Sequence, residues 1–187
     1  MQPEVGTGMS TGKRVLTGIA MFIAIISIGC QATTQPQGTY DAPVAAWWYD
    51  IGFEPAGGSV HGIDAARFDP AWNRVGALEP QVLESRISTD DLVQFRDSGL
   101  SFSLQADLDG DRVPEEVFVG VFSTLDGNGG RFVAVSRNGR LLQHFTQNGP
   151  TGFSALLKNG DEVRWYKCME CGEFDSIRWS GRSYVLE

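Results

Sequence analysis

Asp107, Asp109, Asp111 and Glu115 stand at positions one, three, five and nine of the stretch Asp107-Leu108-Asp109-Gly110-Asp111-Arg112-Val113-Pro114-Glu115. A tight turn that aims alternate residues at one point gathers such carboxylates around a hard cation, with position seven, here Val113, completing the set. Calcium is the natural occupant of an all-oxygen site of this kind. Carboxylates converging without a counter-charge repel strongly. The expected metal ligands are therefore Asp107, Asp109, Asp111, Val113 and Glu115. The competing reading is a solvated β-turn, because Asp and Gly both form turns and like charges cost little in water.

A helix-flanked calcium loop would need Gly at position six and a bidentate Glu at position twelve, where this chain has Arg112 and Phe118. The chain continues as Glu116-Val117-Phe118-Val119-Gly120-Val121-Phe122, a run rich in β-branched and aromatic residues that predicts a buried strand. An acidic loop feeding a strand resembles the calcium loop of FG-GAP and VCBS-type β-propeller repeats, Asp-x-Asp/Asn-x-Asp-Gly-x-x-Asp. Asp107, Asp109, Asp111 and Glu115 match it by position, whereas Arg112 replaces its Gly and Glu115 its last Asp. The resemblance covers roughly twenty residues in a single copy, so it implies a local calcium site and not a propeller built from repeats.

Lys13-Arg14 followed by the apolar run from Val15 to Ile28 has the layout of an export signal, and the run is short for a membrane span. It ends at Ser27-Ile28-Gly29-Cys30, which resembles a bacterial lipobox, with Ser27 in place of the usual Leu. That resemblance implies lipidation of Cys30 as the mature N-terminus. With Gln31 and not Asp next, it also implies delivery to the outer membrane of the cell envelope. An ordinary secretory peptide or an uncleaved anchor is the alternative. The expected organisation is a signal over 1–29, a lipidated N-terminus and polar tether over 30–41, and one β-rich domain over 42–187. A formal net charge of −8 argues against nucleic acid as a partner, since that surface demands a basic patch. The membrane through a lipid anchor, an envelope protein or an extracellular ligand are the partners that remain.

Setting Cys30 aside leaves Cys168 and Cys171 as an even pair, expected to close as a local disulfide in an oxidising compartment. A redox or metal-responsive role for the pair is the sharper alternative. No nucleophile elbow, His-Glu-x-x-His helix or partnered histidine is legible, so the sequence offers no catalytic constellation. Asp126 and Asn128 read as a turn, with a second cation site as the alternative.

The elements that must position the acidic loop form an α+β body dominated by an antiparallel β-meander. Eight strands are expected from Leu100 onward, punctuated by Asp126-Gly127, Asn138-Gly139, Asn159-Gly160 and Ser180-Gly181. A small barrel or propeller-like sheet is the alternative closure. Ser88-Thr89-Asp90-Asp91 opens one covering helix that Gly99 stops, and Pro80 to Glu84 is a brief helical turn. The aromatic cluster Trp47-Trp48-Tyr49 is expected to pack as a lid, with an exposed binding platform as the alternative.

Overall fold

The computed structural model describes residues 46–187, so Cys30, the signal and the tether lie outside the described residues. Eight strands appear where the sequence expects them: β4 (Ser103–Ala106), β5 (Glu115–Thr124), β6 (Gly129–Arg137), β7 (Arg140–Asn148), β8 (Ala155–Asn159), β9 (Glu162–Tyr166), β10 (Phe174–Trp179) and β11 (Tyr184–Leu186). Three more precede them: β1 (Ser59–Val60), β2 (Ile63–Asp64) and β3 (Trp72–Ala77). The strands form no closed barrel. β8 to β11 make a four-stranded meander, while β3, β5, β6 and β7 run in order in a larger sheet with β4 also on β5.

Strand β5 is the axis of the larger sheet. One edge pairs with β6; the other is shared end to end, by β4 along its first half and β3 along its second. It is also buried on both faces, which explains its continuous apolar sequence. Val117, Val119 and Val121 face one core with Val133 and Val135 of β6, and the four-stranded meander covers that side with Leu156, Val163, Trp165 and Ile177. Phe118 and Phe122 face the opposite core with Phe132, Phe68 and Trp72. Trp72 lies flat on Phe122, ring centroids 4.0 Å apart. The two sheets also join through backbone, because Ser101 and Leu156 exchange reciprocal N–H···O bonds of 2.9 and 2.7 Å.

The covering helix is α4 (Thr89–Asp97), preceded by α1 (Trp47–Asp50), α2 (Ala65–Phe68) and α3 (Pro80–Glu84). Ser88 caps α4 as its residue type predicts, its Oγ accepting from the Asp91 N–H at 3.1 Å, an interaction worth about 1 kcal/mol. Phe95 is the residue α4 buries, stacked on Phe102. Two of the three clustered aromatics pack as a lid, Trp48 buried and Trp47 edge-on to Phe153 at 5.2 Å, whereas Tyr49 is 70% exposed. Among the described residues no helix is long and apolar enough to cross a membrane.

A buried carboxylate braces the smaller sheet. Glu162 of β9 accepts from Asn159 Nδ2 at 2.9 Å, Arg164 Nε at 2.8 Å and Arg178 Nε at 2.8 Å. Asn159 first, then the two arginines, hold its carboxyl down to about 2, against an ordinary value of 4.5. A folded-state value below the unfolded one contributes stability that is present above about pH 4.5 and is lost as pH falls toward 2. Glu162→Gln is therefore expected to flatten the acid limb of stability between pH 4.5 and 2, read as the slope of the urea midpoint with pH. Parallel slopes in the two proteins would show that this carboxylate does not govern the limb.

Candidate metal centre

The acidic stretch is the loop of the β4–β5 hairpin, closed by the pair Ala106 and Glu115. Each carboxylate spends one oxygen on the loop's own backbone. Asp107 accepts from the Arg112 N–H at 3.0 Å, Asp109 from Asp111 at 3.1 Å, Asp111 from Val113 at 2.8 Å, and Glu115 from Leu108 at 2.8 Å. These bonds wrap the chain around its own side chains. Arg112 sits at φ 70°, a left-handed conformation that favours Gly. Its backbone follows that turn despite a Cβ, at a cost of about 1–2 kcal/mol.

Asp107, Asp109 and Glu115 are brought together: one oxygen from each lies within 4.8 Å of the others. Oxygens across a calcium ion stand about 5 Å apart, so the spread suits that ion. Asp111 is not in this group. Its side chain is 45% exposed and turns outward, and Val113 is also exposed at the loop surface. Glu115, by contrast, is fully buried at the first position of β5.

The residue that sequence reasoning missed is Arg137. It reaches back from the end of β6 and pairs with Asp111 Oδ2 at 2.6 Å, with Asp109 Oδ2 at 2.9 Å, and with the Glu115 carboxylate. Thus the second oxygen of three carboxylates is turned to one guanidinium, whose proton is held more firmly than in a free arginine by Asp111 first and then Glu115. Asp111 in turn lies below the usual carboxylate value, first through the Val113 N–H and also through Arg137. The smaller sheet contributes Tyr184, whose phenol is pushed well above its ordinary value by burial and then by the neighbouring Glu115 and Asp109. A shallow opening of about 320 Å³, lined in part by Asp109, Arg137, Trp179, Arg182 and Tyr184, leads from solvent to this cluster.

A signal for Arg137 was present in the turns. A β5–β6 hairpin centred on Asp126 pairs Glu116 with Ser136, and the next step of that register brings Arg137 abreast of Glu115. The Asp126 carboxylate is consumed by its own turn, accepting from Thr124 Oγ1 and from Asn128 Nδ2, the latter at 2.7 Å. That geometry is the expected turn. Cys168 and Cys171 are disulfide-bonded in the connection between β9 and β10, with Cys168 buried. His61 has an acidic neighbour: its Nδ1 lies 2.9 Å from Glu116, and its ring stacks on Phe118.

The chain matches no protein-family model, no curated protein and no solved structure. The site therefore has to be read from its own geometry.

Proposed function

We propose that this chain is a lipid-anchored β-domain of the bacterial cell envelope, tethered through Cys30, whose Asp107–Glu115 loop binds calcium and whose body serves in binding or structure. The carrying observation is a charge imbalance around the converging oxygens of Asp107, Asp109 and Glu115, with Asp111 beside them. Asp107, Asp109, Asp111 and Glu115 bring four negative charges, against which Arg137 sets one positive charge. A divalent ion offsets most of the remainder where a single guanidinium leaves three charges in mutual repulsion. The converging oxygens of Asp107, Asp109 and Glu115, the left-handed turn at Arg112 and the solvent opening beside Asp109 all favour this reading. Lipid anchoring rests on the Ser27-Ile28-Gly29-Cys30 box.

Arg137 supports a second reading, in which the guanidinium is the permanent counter-ion and no metal enters. Thermal unfolding in calcium and in chelator separates the two. Under the calcium reading, an ion at a hundred times its Kd adds about 2.7 kcal/mol, and Tm rises by roughly 5–11 °C. Asp109→Ala is expected to abolish that rise. A Tm indifferent to calcium, with Asp109→Ala as stable as the parent, would remove calcium from the proposal.

A further inference from the structure

A second site lies at the open end between the two sheets, away from the acidic loop. The β6 alternation that sends Val133 and Val135 into the intersheet core sends Arg131 to the same side. Its Nη1 donates to the Phe153 carbonyl at 2.5 Å and to the Lys167 carbonyl at 3.3 Å. Its Nε is buried without a partner, and no carboxylate of the described residues pairs with it. The nearby Lys167 is already neutralised by Asp175 and lies over the Trp165 ring at 4.0 Å. Among the described residues Arg131 is thus a half-buried charge with carbonyl partners alone. It lines a cleft of about 610 Å³ with Phe153, Trp165, Tyr49 and Phe174. Tyr49 is 70% exposed and stands at the rim, and Phe174, 38% exposed, stands there with Arg164 over one part of its ring at 4.3 Å and Tyr166 beside it.

We propose that this cleft binds a monoanionic carboxylate carried on a flat apolar body, the carboxylate on Arg131 and the body against Tyr49 and Phe174. With Nη1 given to two carbonyls and Nε buried, Nη2 is the donor left to the cleft, and it can give a carboxylate oxygen a charge-assisted hydrogen bond. Leaving such a charge desolvated and unpaired is costly, and a ligand carboxylate relieves that cost. Burial already works against the protonated forms of both Arg131 and Lys167. A monoanion is favoured over a phosphate dianion because Glu173 also lines the cleft and would repel the second charge. Gly152 keeps the guanidinium open: a Cβ there would rest 3.8 Å from Arg131 Nη2, in ordinary contact and without strain. A larger side chain at that position would extend from that Cβ toward the guanidinium and cover it.

Indole-3-propionate, its uncharged amide and phenyl phosphate serve as probes, titrated into the protein while amide and indole N–H chemical shifts are followed. Saturable binding of the acid is expected, with shifts at Trp165 and Trp48 and an amide weaker by about tenfold or more. Gly152→Val should weaken the acid to a similar degree with Tm unchanged, and Arg131→Met should do the same. Arg131→Met also removes the donor to two carbonyls, so Gly152→Val keeps the test decisive if that variant fails to fold. Equal binding of acid and amide, undiminished binding by folded Gly152→Val, or no saturation by about 10 mM acid would overturn the proposal. Tighter binding of phenyl phosphate than of the acid would also overturn it.

Discussion

Arg137→Gln is expected to lose on the order of 10 °C in Tm in the presence of chelator, and to recover most of that loss in calcium. The reason is the position of Glu115. It is fully buried, its Oε2 is committed to the Leu108 N–H, and the charge facing its other oxygen belongs to Arg137. Removing the guanidinium strands that carboxylate in a low-dielectric setting, where an uncompensated charge is far more expensive than the pair was favourable. The neighbours make the loss worse, since Asp109 and Asp111 also lose their cation. A calcium ion would restore the balance and would no longer compete with the guanidinium for the same oxygens. The variant should therefore bind calcium about tenfold more tightly than the parent, measured by calorimetric titration. A variant destabilised in chelator and not rescued by calcium would mean that Arg137 alone is the counter-ion. A variant as stable as the parent would mean that the ion pairs contribute nothing.

This competition could not be read from the acidic stretch itself. Alternate carboxylates announce a cation but not its source, and the cation in question lies twenty-two residues beyond Glu115 in the chain. Hairpin register carries the missing information, and register depends on where the turn is centred. The strands were legible because β5 and β6 are apolar on consecutive positions and the turns carry Asp-Gly and Asn-Gly pairs. β3 was not, because Trp72-Asn73-Arg74-Val75-Gly76-Ala77 lacks clean alternation and shifts register between Trp72 and Arg74. The division into two sheets was also hidden. It turns on β7 and β8 ending in different sheets instead of pairing, which no local pattern encodes. Arg131 escaped notice for the same reason as Arg137: a lone arginine in an apolar strand shows its role only when its facing carbonyls are known.

Gly120→Ala is expected to be among the most damaging single substitutions in the chain, costing about 3 kcal/mol or more. An added Cβ would meet the Phe132 ring at 2.5 Å and the Gly76 carbonyl oxygen at 2.6 Å. The ring has little room to swing, because Phe132 is fully buried among Phe68, Trp72 and Phe118. The carbonyl has less, since Gly76 is paired with Val121 in the β3–β5 register. Strand β3 would have to move off β5, opening the sheet on the side that the β1–β2 hairpin and α2 cover. Phe132→Leu, added to Gly120→Ala, removes one obstacle of the two and should recover only part of the loss, as judged by urea unfolding. A Gly120→Ala protein within about 0.5 kcal/mol of the parent would show that the sheet can widen here at little cost. The same rigidity serves the acidic loop. β5 begins at Glu115 and is fixed by tight packing five residues on, so Arg137 and Glu115 stay on one face. A slip of one residue would send Arg137 to the opposite face and leave the carboxylates without it.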